Sequence, residues 1–291
     1  MADGEGVPAT VDALRMRVGS TLAAAGIEDP AVDAELLIGH VLDLSRGQVQ
    51  SRAITRAAVD PADAARVLEL AARRARREPL QHITGVAHFR SLELRVGPGV
   101  FVPRPETEHV AQLAIDALSA APGEAPVAVD LGTGSGALAL ALATEVPHSR
   151  VHAIEVSPEA HAWTARNVAR LAPGVHLVLG DLADAFPELD GTVSVVVSNP
   201  PYIPVDAVPR DPEVRLHDPA LALYGGADGL DVVRLVSRTA RRLLHPGGAL
   251  VIEHGELQGA AIRALLDADG WRQTRTHEDL TRRDRATTAV R

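Results

Sequence analysis

Val127-Ala128-Val129-Asp130-Leu131-Gly132-Thr133-Gly134-Ser135-Gly136 is a short apolar strand that runs into a glycine-rich turn, and a helix is predicted directly after it, over 137–144. Glycines at a strand-to-helix turn let the backbone bend tightly and approach a ligand with no Cβ in the way. The same alternation continues downstream. Strands are predicted over 150–156, 175–179, 193–197 and 249–253, and helices over 158–171 (with Ser157 as its cap), 228–244 and 257–268. Strand-like pieces follow near Trp271 and Thr287. Strands alternating with helices imply an α/β fold with a mostly parallel sheet covered on both faces.

Upstream the pattern is different. Residues 10–78 read as helices, with apolar residues at helical spacing through Val11, Leu14, Val18 and Leu22, and again through Val32, Leu36 and Leu37. Asp29 and Asp60 stand as caps before Pro30 and Pro61, prolines that a first helical turn tolerates. The helix from about Pro61 ends in Arg73, Arg74, Arg76 and Arg77, which suits a helix C-terminus and reads as a solvated end rather than a docking patch. Pro79 stops that helix. Residues 86–102 read as a strand pair, alternating through Leu92, Leu94 and Val96, with a turn at Gly97-Pro98-Gly99. A further helix is predicted over 107–119, and 120–126 is a loop rich in Ala, Pro and Gly.

Composition narrows the chemistry. A chain of 291 residues suits two domains at about 150 residues each. Its 46% hydrophobic and 23% charged residues exclude disorder of the whole chain. The absence of Cys excludes disulfides, thiolate metal sites and cysteine nucleophiles. The absence of Lys excludes Schiff-base chemistry, since every basic side chain is Arg. A net charge of −9 argues against a protein that coats nucleic acid through its overall field. The beginning, MADGEGVPAT, lacks the basic start and apolar core of a signal peptide. The longest apolar run, 137–143, is too short to span a bilayer. A cytoplasmic protein with no membrane partner is therefore expected. No His pair has metal-ligand spacing on one helix face, so no metal is expected.

The glycine turn alone points to an adenosine-type ligand without saying which. Gly132, Gly134 and Ala137 satisfy the dinucleotide pattern, and Glu155 is the acid that this pattern places about 20 residues on. A tight turn with no ligand is the alternative for the motif in isolation. Two further acids favour S-adenosylmethionine. Asp130 stands just before the glycine turn, two residues ahead of Gly132, where it either binds the ligand's amino group or orders the loop, and Asp181 ends the third strand in Leu179-Gly180-Asp181. Carboxylates at three successive strand ends suit hydroxyls, an amine and a sulfonium, and repel a pyrophosphate.

The second motif is Val197-Ser198-Asn199-Pro200-Pro201-Tyr202, at the end of the predicted strand 193–197. In an open parallel sheet, ligands sit outside the carboxyl ends of the strands, so Asn199 is expected to face the same crevice as the glycine turn. A planar amide nitrogen is a poor nucleophile because its lone pair is delocalised. Two acceptors that hold both of its hydrogens leave that lone pair aimed at an activated methyl, and the Asn199 side-chain carbonyl with the Pro200 backbone carbonyl is such a pair. Pro200 and Pro201 lack N–H groups and have fixed φ, which stiffens the loop and removes competing donors. Tyr202 is read as an exposed aromatic that stacks on a flat target group. A turn that merely ends a strand is the bland alternative.

Together these residues resemble the HemK/PrmC protein-glutamine methyltransferases. The resemblance rests on Glu78 to Gly85, on Val102-Pro103-Arg104-Pro105-Glu106-Thr107-Glu108, on Asp130 to Gly136 and on Asn199 to Tyr202. It continues through Asp218 to Leu221, Gly225 to Leu230 and Glu253-His254-Gly255, in order from about residue 10 onward. It implies methyl transfer from S-adenosyl-L-methionine to the side-chain nitrogen of the glutamine in the Gly-Gly-Gln motif of class I peptide chain release factors. The implied fold is a class I Rossmann-like methyltransferase with a seven-stranded sheet, plus a small all-α N-terminal domain joined by a β-hairpin. The expected bounds are 1–80 for the helical domain, taken as the substrate-recognition part, 81–106 for the hairpin linker and 107–291 for the methyltransferase domain.

By the same resemblance, Asp130, Gly132, Thr133, Gly134, Ser135, Gly136, Glu155, Asp181 and Asn199 contact the cofactor. Leu182 joins them at the adenine, at a position where relatives often carry an aromatic. Asn199, Pro200, Pro201 and Tyr202 hold the glutamine amide. Arg104 and Glu106 order the loop over the pocket, or else form a buried ion pair. His254 is expected to be structural rather than a base. A monomer that binds a protein rather than nucleic acid is expected. The rival readings are an enzyme that methylates an exocyclic amine of adenine or guanine, which needs a basic channel and stacking aromatics that this composition lacks, and a cofactor-binding protein without chemistry.

Overall fold

Thr10, Ser45 and Asp60 each accept a hydrogen bond from a backbone N–H near a helix start, from Ala13, Gln48 and Ala62 respectively. In a computed structural model that describes residues 9–291, these caps open α1 (Val11–Ala24), α3 (Arg46–Ile54) and α4 (Pro61–Ala75), with α2 (Pro30–Leu42) between the first two. Asp29 differs from the expectation. It precedes Pro30 but makes no side-chain cap bond, and the proline's preset φ starts α2. Pro79 ends one helical stretch and also begins another, α5 (Leu80–Thr84), whose Ile83 joins a core with Leu14, Leu22, Leu37, Ile38 and Val67. The residues before position 9, read above for a signal peptide, lie outside the described residues.

Of the four arginines at the end of α4, Arg76 is exposed as expected, but the other three are paired rather than solvated. Arg73 pairs with Glu78 at 2.5 Å. Arg74 reaches Asp33 and Glu213, both at 2.7 Å, and Arg77 reaches Glu213 at 2.7 Å. The Arg74 and Glu213 side chains are only 11% and 12% exposed. Glu213 lies on the short helix Pro212–His217, and the segment Arg210–His217 belongs to the same compact unit as the chain up to Gly85. Sequence-local reasoning has no access to a partner 139 residues away.

The second unit comprises Val86–Pro209 and Asp218–Arg291. The sequence reading ends the helical domain at 80 and treats 81–106 as a linker. The structure instead puts α5 into the helical core and the hairpin into the second unit. The hairpin is β1 (Val86–Phe89) paired antiparallel with β2 (Leu92–Arg95). Its turn is at Arg90-Ser91, not at Gly97-Pro98-Gly99. Arg90 adopts φ 53°, held by Glu108, Gln112 and Glu145. The glycine turn at 97–99 lies after β2, where a Cβ on Gly97 would come within 2.4 Å of the Trp163 ring.

Beyond the hairpin come α6 (Thr107–Ser119), β3 (Val127–Leu131), α7 (Ala137–Glu145), β4 (Arg150–Glu155), α8 (Pro158–Leu171, capped by Ser157), β5 (His176–Leu179) and β6 (Val193–Ser198). The chain continues through α9 (Pro212–His217), α10 (Ala220–Leu223), α11 (Asp231–Leu243), β7 (Leu244–Glu253), α12 (Gly259–Ala268), β8 (Arg272–Glu278) and β9 (Asp284–Val290). The sheet has seven strands in the order β5-β4-β3-β6-β7-β9-β8, with β9 antiparallel to its neighbours. Every residue of β3 and β6 is buried, as expected of strands covered on both faces. One face packs against α6, α7 and residues of α8, through Val110, Leu118, Leu140 and Val168, and the other against α11 and α12, through Val233, Val236, Ile262 and Leu266.

From β3 the chain moves through α7 to β4 on one side, and from β6 it moves to β7 on the other. The strand order therefore reverses between β3 and β6. Crevices for ligands open at such a switch point, outside the carboxyl ends of the strands. Among the described residues no helix is long and apolar enough to cross a membrane.

Burial acts to raise the Glu213 pKa, but the hydrogen-bonded Arg74 and Arg77 guanidiniums hold it down to about 2, so its stabilising contribution is present above the usual carboxylate range and fades as pH falls toward 2. Glu213→Ala leaves two arginines without their shared partner, and is expected to lower the unfolding free energy at pH 7 by about 3 kcal/mol, read by chemical denaturation.

Candidate active site

Asp130 and Val197 are direct partners in the parallel pairing of β3 with β6, so the two motifs leave the sheet side by side. Ser198 ties them together, donating from its buried hydroxyl to the Leu131 carbonyl at 2.7 Å. The glycine turn follows Leu131. Gly132, Gly134 and Gly136 have φ values of 77°, 59° and 87°, a region that side chains avoid. A Cβ added at Gly132 or Gly134 would meet nothing within 4 Å, so the turn presents bare backbone to open space.

Asp130 is fully buried and orders this turn. Its Oδ2 accepts from the Thr133 hydroxyl at 2.6 Å and from the Ala139 N–H at 3.1 Å, while Oδ1 has no hydrogen-bond partner among the described residues. Burial pushes its pKa up to about 7, with Thr133 and Ala139 acting in the opposite direction and Glu155 adding to the rise. Glu155, at the end of β4, also binds the turn: Oε2 accepts from the Gly134 N–H at 2.8 Å and Oε1 from the Ser157 N–H at 2.9 Å. Each carboxylate oxygen has capacity for a further hydrogen bond beyond those that hold the loop. Asn167 completes the support, donating to the carbonyls of Arg95 and Ser135 at 2.9 and 3.0 Å and accepting from the Arg95 N–H at 2.7 Å. Asp181 follows β5 and caps a one-turn 3-10 helix, Leu182–Asp184, through the Ala183 N–H. Leu182 packs against the sheet core.

Asn199 is half-buried, and its Nδ2 donates to the Thr107 hydroxyl at 3.4 Å. The Pro-Pro-Tyr segment is clamped from behind. Gln258 donates to the Tyr202 carbonyl at 2.9 Å, and Ile203 exchanges backbone bonds with Leu223 and Gly225, both at 2.9 Å. A Cβ on Gly225 would stand 2.4 Å from the Pro201 carbonyl oxygen, and one on Gly229 2.3 Å from that of Tyr202, so only glycine fits behind this loop. Tyr202 is not the exposed aromatic expected. It is half-buried, and burial together with the nearby Glu253 raises its pKa, so the phenol stays protonated. Arg104 pairs with the buried side chain of Asp218 at 2.8 Å and lies 5.0 Å over the Phe101 ring. Glu106 stands at the N-cap of α6 without a capping bond, and its charge acts on Glu253 and Arg285.

Two residues quoted in the motifs, Thr107 and Glu253, are given no role by the sequence reading yet stand at Asn199. Thr107 is 3% exposed and faces Asn199, while Glu253, 1% exposed at the end of β7, faces both Thr107 and Asn199. Their spacing in the chain carries no signal, because the sheet alone brings them together. His254 is fully buried and uses both ring nitrogens, toward the Gly255 carbonyl and the Thr287 hydroxyl, as a structural histidine does. Among the described residues no cluster of three or more acidic or His side chains is arranged to hold a metal.

A doubly wound sheet with a glycine turn, two strand-end acids and an Asn-Pro-Pro-Tyr loop at its switch point defines a methyltransferase. Residues 13–85 match the PrmC N-terminal domain and residues 91–210 the methyltransferase small domain. A release factor glutamine methyltransferase from Streptomyces coelicolor is 52% identical over 271 residues, covering 92% of this chain and 93% of the relative. One from Mycolicibacterium smegmatis is 46% identical over 275 residues and covers 94% of both. A 4-amino-L-phenylalanine/4-methylamino-L-phenylalanine methyltransferase from Streptomyces pristinaespiralis is 43% identical over 289 residues, covering 98% of this chain and 96% of the relative. The crystal structure of the hMettl16 catalytic domain superimposes with a TM-score of 0.55 at 14% identity, over 76% of this chain and 82% of that one, which shows a shared fold alone. The chain belongs to the release factor glutamine methyltransferase family.

Two predictions test this geometry. Gly134→Val places a β-branched side chain at φ 59° in the open space of the turn. It is expected to weaken S-adenosylhomocysteine binding at least about tenfold by calorimetry. Asp130, protonated more readily folded than unfolded, contributes stability that is full below the usual carboxylate range and is lost as pH rises through about 7. Asp130→Asn keeps an acceptor for Thr133 and Ala139 and removes the titration. In thermal melts of the ligand-free protein, the fall in Tm between roughly pH 5 and 8 is expected to shrink in this variant.

Proposed function

We propose that the chain transfers a methyl group from S-adenosyl-L-methionine to the side-chain nitrogen of the glutamine in the Gly-Gly-Gln motif of class I release factors. The observation that carries this reading is the placement of Asn199 beside the glycine turn, on a loop clamped so that its acceptors keep fixed positions. The cofactor fits the residues present. Bare backbone at Gly132 and Gly134 gives it room, and the carboxyl groups of Asp130 and Glu155 suit its amine, hydroxyls and positive charge. Bound there, S-adenosylmethionine supplies a methyl on a cationic sulfur.

Asn199 Oδ1 and the Pro200 carbonyl accept the two N–H hydrogens of the target amide. That holds the group flat and keeps its nitrogen lone pair free of other partners. With the cofactor held there, transfer would give the target nitrogen the methyl and leave a neutral thioether, and the nitrogen would release one proton to solvent. Alignment of this kind supplies a large part of a rate enhancement, so no strong base beside the nitrogen is required. Tyr202, neutral and half-buried, offers a ring edge or face without adding charge. The reading also makes the protein a cytoplasmic monomer that binds protein rather than nucleic acid, in keeping with its net charge of −9.

The test is transfer of labelled methyl to a purified class I release factor and to the same factor with the motif Gln replaced by Ala. Label is expected only on the unaltered factor. Label on free 4-amino-L-phenylalanine instead would assign the chain to small aromatic amines, and label on RNA or DNA alone would overturn the protein-substrate reading. Asn199→Ala is expected to lower kcat by a factor on the order of 100 with cofactor affinity within about twofold.

A further inference from the structure

An amide such as that of Asn199 has a donor edge and an acceptor edge, and methyl transfer as proposed above uses only the acceptor edge. The structure shows what sets the orientation. Ser198 pairs with Ile252 in the parallel ladder of β6 with β7, so Asn199, just past β6, and Glu253, the last residue of β7, are the next residues along these adjacent strands. Thr107, the first residue of α6, stands against both. An ionised carboxylate only accepts hydrogen bonds, so the Thr107 hydroxyl must donate to Glu253 and has only acceptor capacity left for Asn199. The edge of Asn199 that faces Thr107 and Glu253 is then the NH2, and the opposite edge, Oδ1, is turned to the crevice.

We propose that Glu253 and Thr107 are positioning residues that fix which way round the Asn199 amide sits, so that its carbonyl, and not its NH2, meets the target amide. The inference rests on the proposed reaction, because only a substrate that offers N–H hydrogens needs an acceptor there. A protonated Glu253 can donate to Thr107. The hydroxyl is then free to donate toward Asn199, and the reversed amide, which opposes a donor to a donor, is no longer excluded.

The lock is placed to titrate near neutrality. Burial pushes Glu253 up to about 7, against Thr107, Arg285 and Asn199, while Glu106 adds to the rise. The groups that face it are Glu106 and Thr107 from the start of α6, Arg285 from β9, and Asn199 and Tyr202 from the loop after β6. Its Oε2 has no hydrogen-bond partner among the described residues.

The test measures methyl transfer by the full chain to the release factor between about pH 5.5 and 8.5, with S-adenosylhomocysteine affinity and Tm for every variant. The wild-type kcat is expected to fall by one proton's slope below about pH 7. Glu253→Gln carries a permanent donor, and its kcat is expected to be about tenfold lower and level with pH, near the wild-type rate at the acid end, with cofactor affinity unchanged. Thr107→Val is expected to lose kcat similarly, and Thr107→Ser to keep it. If Glu253→Gln does not fold, the Thr107 pair decides. A Thr107→Val enzyme with wild-type kcat and the wild-type acid limb overturns the proposal, as does a Glu253→Gln enzyme that keeps that limb. A wild-type chain that leaves the release factor unlabelled overturns the proposed function instead, a separate outcome visible before any variant is made.

Discussion

The parallel pairing of β3 with β6 is the constraint on which the site depends. It sets Asp130 opposite Val197, and through that one register it fixes how far the glycine turn stands from Asn199. Ser198 adds a bond from the last residue of β6 to the last carbonyl of β3, so the two strand ends cannot slide independently. Both strands are buried on both faces, and a slip of one residue would reverse every side chain between the two cores. The precision that catalysis needs at the crevice is thus inherited from packing well inside the sheet.

Around that register, the site is built from groups that hold each other before any ligand arrives. Glu155 binds the Gly134 N–H, Asp130 binds Thr133 and the start of α7, and Asn167 links the turn to the β-hairpin. On the other side, Gly225 and Gly229 give the Pro-Pro-Tyr loop a backing with no side chains, and Gln258 holds its last carbonyl. Rigid supports of this kind let a single amide act as a positioning device, since little ordering remains to be done when the substrate binds.

Much of this was legible in the sequence where the cause is local. The helices at 107–119 and 158–171 follow from apolar periodicity and a Ser cap, and both motifs sit on the strand ends that their composition implied. What was not legible depends on distant partners. Arg90 makes a tight hairpin turn without Gly or Asn because Glu108, Gln112 and Glu145 hold it, and none of them is near it in the chain. The stretch His245-Pro246-Gly247-Gly248 looks like a loop, yet β7 begins at Leu244, and a register shift in its pairing with β6 accommodates the irregularity. Helices of four to six residues, such as α5, α9 and α10, are too short to show a period. Glu253 and Thr107 were invisible as partners of Asn199 for the same reason: they meet only after the sheet has formed.

The ion pairs of Glu213 have one more consequence. The helical unit is discontinuous in sequence, because Arg210–His217 folds with the chain up to Gly85 and is bonded there by Arg74 and Arg77. Neither unit is a contiguous cassette. A recombination breakpoint at Gly85, the place where a reader of motifs would cut, strands a buried carboxylate in one fragment and its two arginines in the other. Moving the helical unit onto another catalytic sheet with these ion pairs intact requires both pieces to travel together.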